Sequence, residues 1–504
     1  MLALLLLAIA VWNVLITRPL WLDEVHTLIV ANRPSASLVM SDISAGVDTA
    51  PGLLHLVLWG VGRIVPLNAV VLHIFPFLTV WLGHVFLFAA LRRRFDLVPA
   101  LGGTLAVLGH LLVIQMTYEA RFYGPWLMLA AAFAWAVGRE PSRGRDALVA
   151  LFAILVCTVH WFGVISLGIM CVAVLLAHWR HWRVGLRAVI PAAAGLVVLA
   201  LCTPILLSQR AAVTVPTWIP AVDSAQSWVM VRTFWLALVP VLAAIVLLAR
   251  RLGSGDDGRG PTADGREPDA EAGSRGRYWD ASIAALGSLA LMPLAIGVVS
   301  YVLQPSLLDR YATVAALAWG PLVALAIQSL PSRPRLLFCA LLLSLGVLNY
   351  RRAAGGMASY QRVFDADLKS YELAVARTTL PIVFQSRHAQ LPIAAVNPAG
   401  RDRMAILSLP DSTLDALFPA GSPLRLMNAF FRFEREAALV HHRIYRFPPV
   451  LTQAELDTMP RFLLLAWDES LPPGYKNVER FSQAVFPHHN VRRLEPNLTM
   501  LVRR

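Results

Sequence analysis

The run AVVLHIFPFLTVWLGHVFLFAAL, residues 69–91, contains no acidic or basic side chain other than two histidines and is followed at once by Arg92, Arg93 and Arg94. A helix needs about 20 apolar residues to cross a bilayer, and arginine collects on the cytoplasmic side of such crossings. One run of this kind predicts one span. Comparable runs recur outward from it, from residue 1 to about residue 350, so the chain reads as a polytopic α-helical membrane protein.

Composition agrees. The 504 residues are 57% hydrophobic and 15% charged, where soluble chains carry about 25% charge; an ordinary cytosolic enzyme is excluded. The formal net charge is +13 and Lys369 and Lys476 are the only lysines, so the excess is arginine. Because those arginines stand in short clusters between apolar runs, the charge reports topology, and no nucleic-acid partner is expected. Cys157, Cys171, Cys202 and Cys339 lie within apolar runs without metal-ligand spacing, which predicts neither a disulfide nor a zinc site.

Placing the arginine clusters inside gives crossings near residues 1–17, 69–91, 98–116, 123–138, 146–160, 162–177, 188–207, 229–249, 281–301, 312–330 and 336–350. This count of about eleven puts the N-terminus in the cytoplasm and the C-terminal tail outside the plasma (inner) membrane. Met1 to Ile16 lacks a basic leader and a cleavage site and is expected to remain as the first span. Residues 1–350 form the expected transmembrane module. Within it, residues 17–68 are a first external loop, with Pro51 to Val65 as a helix lying along the membrane surface, and residues 253–278 are a Gly/Asp/Arg-rich cytoplasmic linker. Beyond Tyr350, polar residues alternate with short apolar runs such as Leu391 to Val396 and Arg461 to Trp467; residues 351–504 predict a mixed α/β extracytoplasmic domain.

Acids are scarce in the membrane part. Asp96, Glu140 and Asp146 stand among the cytoplasmic arginines, whereas Asp23, Glu24, Asp42, Asp48, Glu119, Asp223 and Asp309 fall at external ends. Arg121 and Arg310 each stand beside an acid and an aromatic, as Glu119, Arg121, Tyr123 and as Asp309, Arg310, Tyr311. A single outer cleft holding both signs suits group transfer from an anionic lipid-linked donor, a carboxylate taking the acceptor proton and guanidinium groups neutralising the leaving phosphate.

The residues from Arg18 to His26, Arg-Pro-Leu-Trp-Leu-Asp-Glu-Val-His, resemble the Asp-Glu first-loop motif of the GT-C glycosyltransferases, in particular the protein O-mannosyltransferase and aminoarabinose transferase group. Four further segments match in order: Asp48 to His55 the His-Pro-Pro-Leu segment, Glu119-Ala-Arg-Phe-Tyr123 the Glu-Ala-Arg-x-Tyr, Thr158 to Gly163 the Thr-His-x-Phe-Gly, and Asp309-Arg-Tyr311 the late Arg-Tyr. The second segment departs from the family pattern, with Ala50 at the first proline and Gly52 at the leucine. The resemblance covers residues 1–330. It implies a GT-C fold with outer-face interfacial helices, a polyprenyl-phosphate sugar donor, and an envelope glycan, lipid or protein as acceptor.

On this reading Asp23 is the general base, and Glu24 orients the acceptor or a neighbouring cation. Asp48 is a second catalytic carboxylate, while Arg121, Tyr123, His160, Arg310 and Tyr311 bind the donor phosphate. Asp23 and His26 share a helix face and are the candidate pair for a divalent metal ion, whose requirement stays open. The pairs His441-His442 and His488-His489 read as surface residues. Two other functions are weighed: a lipid-sugar flippase or transporter, which would place ionisable groups deep in the bilayer and show matched broken helices, and a non-catalytic envelope scaffold. The gathering of the acids at one face favours the transferase.

Overall fold

The computed structural model describes residues 18–212, 227, 281–302, 308–385, 387–397, 399–417, 449–465, 478–495 and 498–504. The first span, the crossing at 229–249, the 253–278 linker, Asp223 and the His441-His442 pair lie outside the described residues. Contacts divide the chain into two compact units: one contains residues 50–206 and 221–354, the other residues 17–49, 207–220 and 355–504.

The first unit is helical: α3 (Leu53–Gly62), α4 (Ala69–Leu91), α5 (Leu97–Leu108), α6 (Leu111–Met116), α7 (Tyr123–Val137), α8 (Arg143–Val159) and α9 (Gly163–Ala177) follow one another along the chain. After them come α10 (Trp182–Val189), α11 (Ala193–Ala212), α12 (Ala281–Val302), a 3-10 segment Asp309–Ala318, α13 (Trp319–Gln328) and the start of α14 (Ser332–Arg377). Among the described residues five helical segments are long and apolar enough to cross a membrane: 69–91, 179–212, 281–302, 309–328 and 332–377. Small residues bring them together. A Cβ on Gly103 would sit 2.3 Å from the Gly320 carbonyl oxygen and one on Gly124 3.0 Å from Thr79 Oγ1, so α5 meets α13, and α7 meets α4, nearly backbone to backbone.

Three predicted spans take a different form. The stretch 98–116 breaks between α5 and α6, where Asn349 Nδ2 donates to the Gly109 carbonyl at 2.9 Å and a Cβ on Gly109 would meet Gly346 Cα at 3.1 Å. The stretch from 312 starts as 3-10 helix. The last span does not end at 350: α14 runs on to Arg377. The surface helix expected at Pro51 to Val65 is α3, ten residues and therefore about 15 Å long, half of a bilayer core. Gly52 opens it with φ 104°, a left-handed conformation that disfavours any larger residue, which accounts for glycine at that place in the motif.

The second unit contains α1 (Leu22–Ala31) and α2 (Ala36–Ser44) of the first loop together with the tail. Ser35 caps α2, accepting from Leu38 N–H at 3.3 Å, and Arg33 clamps Asp42 at 2.9 Å. The tail is a six-stranded sheet in the order β3 (Val450–Thr452), β2 (Met404–Ser408), β1 (Ile382–Phe384), β4 (Arg461–Leu465), β6 (Leu498–Arg503), β5 (His489–Glu495). The first four are parallel and the last two antiparallel. Alternate residues serve two cores: Val383, Ala405, Phe462 and Leu464 face one side with Phe481, while Ile382, Phe384, Met404 and Leu463 face the other with Tyr371 and Ile393. Coverage on both faces explains why these strands read as unbroken apolar runs. Of those runs, 461–465 is strand and 391–396 is the second half of α15 (Arg387–Val396), which packs on α1. His488 is exposed as expected in the turn before β5, but His489, the first residue of that strand, is buried against Phe462 and Phe486.

Candidate active site

In the helical unit, three sequence-distant segments meet at His160. Helix α8 stops there because His160 leaves helical geometry (φ −153°, ψ 141°), and the Gly163 N–H returns to the His160 carbonyl at 2.8 Å to start α9. A Cβ on Gly163 would stand 1.9 Å from the Val156 carbonyl oxygen, so the turn tolerates only glycine. The Phe162 N–H donates to His160 Nδ1 at 3.0 Å. Nδ1 is thereby an acceptor, and the proton of the neutral ring sits on Nε2.

The imidazole is held by aromatic faces. Trp126 stacks on it at 4.6 Å with an interplanar angle of 10°, and Phe122 lies 4.4 Å away. Trp126 is fixed in turn, its indole N–H donating to Ser166 Oγ at 3.1 Å and Ser166 donating to the Gly163 carbonyl at 2.8 Å. Tyr123 and Tyr311 stand 6.0 and 5.8 Å from the imidazole and 6.2 Å from each other. The charges that act on the Tyr123 hydroxyl come from Arg310, Glu119 and Arg121, with the Tyr311 hydroxyl also beside it. Arg121 lies over the Phe122 ring at 4.7 Å and Arg310 over the Tyr311 ring at 5.8 Å. Glu119 and Arg121 are buried; Arg310 and Tyr311 are half-buried.

All five residues assigned from sequence to phosphate binding, Arg121, Tyr123, His160, Arg310 and Tyr311, therefore gather in one place. The set offers two guanidinium groups, two phenols and one imidazole N–H, a donor-rich environment for an anion in a region of low dielectric. Trp126, Phe122, Phe162 and Ser166, which set the geometry, were not among the residues singled out from sequence. Trp126 carried a signal: it stands three residues after Tyr123, on the same face of α7.

The carboxylates assigned from sequence are in the other unit. Asp23 and Glu24 open α1, next to each other but differently placed: Glu24 is fully buried and Asp23 half-buried. Glu24 receives the Arg18 guanidinium on one oxygen and the Trp21 N–H on the other at 3.0 Å. The neighbouring cation is thus Arg18. Tyr360, from α14, completes the group: burial raises its phenol above the usual range, Arg18 opposes the shift, and Glu24 and Asp367 add to it. Asp48 is buried behind a turn whose Asp48 and Ile43 carbonyls accept from Gln209 Nε2 at 3.3 and 3.0 Å. His26 is buried on α1. Among the described residues no three His, Cys, Asp or Glu side chains cluster to hold a metal ion, so Asp23 and His26 are at most a pair.

Fold and site together define a polytopic helical membrane protein with a first-loop pair of helices, an α/β tail and a donor-rich aromatic cluster around His160. The chain shares its fold with ArnT from Cupriavidus metallidurans: the apo structure of that protein matches over 99% of this chain and 96% of its own, with a TM-score of 0.59 and 12% identity. The structure of the same protein bound to undecaprenyl phosphate matches over the same shares, with a TM-score of 0.54 and 13% identity. No protein-family model matches the chain, and no curated protein matches it.

Proposed function

We propose that this protein is a membrane glycosyltransferase that moves a sugar from a polyprenyl-phosphate donor to an envelope glycan, lipid or protein acceptor on the outer face of the plasma membrane. The carrying observation is the convergence of Tyr123, His160 and Tyr311, with Arg121 and Arg310, from three sequence-distant segments that each resemble a GT-C motif. Two further facts support the reading: the shared fold covers 96% of ArnT, and that protein has been seen bound to undecaprenyl phosphate. Arginine clusters mark the cytoplasmic side, which sets the N-terminus inside and the tail outside.

In the proposed reaction the Asp23 carboxylate takes the proton of an acceptor hydroxyl. The freed oxygen attacks the anomeric carbon, and the bond from that carbon to the donor phosphate breaks with its electron pair going to the phosphate oxygen. Attack opposite the leaving group inverts the anomeric configuration. The polyprenyl phosphate gains one negative charge, which Arg121, Arg310, the tyrosine hydroxyls and the His160 Nε2–H stabilise. Glu24 holds Arg18 at the entrance of α1, and Asp48 is the second carboxylate.

The test is mass spectrometry of polyprenyl-phosphate sugars and envelope glycans from a deletion strain complemented with wild-type protein or with D23N. The proposal expects donor to accumulate and acceptor to lose a sugar in both the deletion and the D23N strains. If D23N restored the wild-type pattern, Asp23 would not be the base; if the deletion left both pools unchanged, the transferase reading would fail.

A further inference from the structure

Away from the aromatic pocket, at the end of the helical unit where α8 begins, a cavity of about 340 Å³ is lined by Asp146, Arg183, Leu186, Arg187, Ile190 and Pro191. That volume falls in the range of small-molecule sites. Arg183 and Arg187 stand one turn apart on α10, are exposed, and form no ion pair with any carboxylate among the described residues. Asp146 is already engaged: Arg145, itself buried, binds it at 2.5 Å and donates to the Arg187 and Ala188 carbonyls, each at 3.0 Å. Arg145 thus neutralises the only acid in the lining and pins the end of α10, leaving two net positive charges at the rim.

The same segment is built for a membrane surface. Trp179 and Trp182 are 68% and 57% exposed, and Ile190 is 62% exposed, all beside the cavity arginines. Gly185 seats α10 on the end of α9, where a Cβ would come within 3.1 Å of His178. A short helix with exposed Trp and Arg ahead of a span is the pattern of interfacial anchoring, and basic pockets at helix ends favour anionic lipid headgroups.

We propose that this cavity binds the phosphodiester headgroup of an anionic phospholipid, its phosphate held between Arg183 and Arg187 and its glycerol and upper acyl region against Leu186, Ile190 and Pro191. The occupant is a bilayer lipid because the apolar side of the lining and the exposed tryptophans continue the site into the membrane surface. This site is separate from the donor pocket and does not depend on the glycosyltransferase reading.

Native mass spectrometry of the full-length detergent-solubilised protein, titrated with dioleoyl phosphatidylglycerol, tests it, with dioleoyl phosphatidylcholine as neutral reference and inorganic phosphate as competitor. The expected result is retention of phosphatidylglycerol over phosphatidylcholine, a loss of roughly 10- to 30-fold in R183Q/R187Q, and no such loss in R92Q/R94Q, which removes an equal exposed charge elsewhere. Equal binding of the two lipids, equal loss in both double variants, or no loss in R183Q/R187Q would overturn the proposal. Full displacement by millimolar inorganic phosphate would also overturn it, because the site would then take a free anion.

Discussion

The sharpest feature at the scale of single residues is the ring state of His160. With Nδ1 accepting from Phe162 N–H, the imidazole presents Nε2–H toward its surroundings, and H160L is expected to lower transfer at least tenfold while H160Q, which keeps a donor, loses less. Rates in membranes with a polyprenyl-phosphate sugar check this; equal rates for the two variants would contradict it. The Arg18 and Glu24 pair makes a second prediction. R18A strands a fully buried carboxylate and is expected to cost about 3–5 kcal/mol, seen as a lowered unfolding midpoint, with E24Q milder because its amide oxygen still accepts from the buried Arg18 guanidinium. Sequence motifs could locate Tyr123, His160 and Tyr311 because each stands in a short segment, Glu119 to Tyr123, Thr158 to Gly163 and Asp309 to Tyr311, that resembles a family motif in the right order. They could not locate Tyr360, which reaches Arg18 and Glu24 only through the fold.

Elements were legible where hydropathy and backbone agree and illegible where they part. The runs at 69–91, 123–138 and 162–177 are helices with nearly the expected bounds. The end expected at 350 follows the rise in charged and polar residues there, but charge ends a membrane span without ending a helix, and α14 continues to Arg377. The break after Leu108 was hidden because it depends on Asn349 and Gly346, some 240 residues away along the chain. In the tail, Thr452 and Glu455 form a capping box at the start of α16 (Gln453–Thr458), and the bonds from Thr452 lower the Glu455 carboxyl below its usual value. Stability from that carboxylate is present above the unfolded value of 4.5 and is lost as pH falls through the lower folded value. T452A is therefore expected to cost about 1 kcal/mol at neutral pH, and less at pH 3, by thermal denaturation.

For the molecule as a whole, Tyr360 supplies a test of how α14 joins the first-loop helices within one unit. Its protonated phenol is the favoured form, so its contribution is fully present below the unfolded value of 10.0 and is lost as pH rises toward the raised folded value. The unfolding midpoint of the wild type should fall more steeply between pH 9 and about 11 than that of Y360F; parallel curves would separate Tyr360 from the Arg18 and Glu24 group. The membrane class, the α/β tail and the grouping of the residues proposed to hold phosphate were foreseeable from residue patterns. The placement of the first-loop helices in the unit of the tail was not, since it rests on packing between α1 and α15 that no local pattern encodes.

The central claim is that the pocket around His160 recognises a polyprenyl phosphate. Direct titration of the full-length protein with undecaprenyl phosphate tests it most closely, comparing wild type, R121Q/R310Q, H160L and D23N. The account predicts at least a tenfold loss of affinity in R121Q/R310Q, a smaller loss in H160L, and wild-type binding in D23N, whose defect lies in transfer alone. Unchanged affinity in R121Q/R310Q and H160L would contradict it.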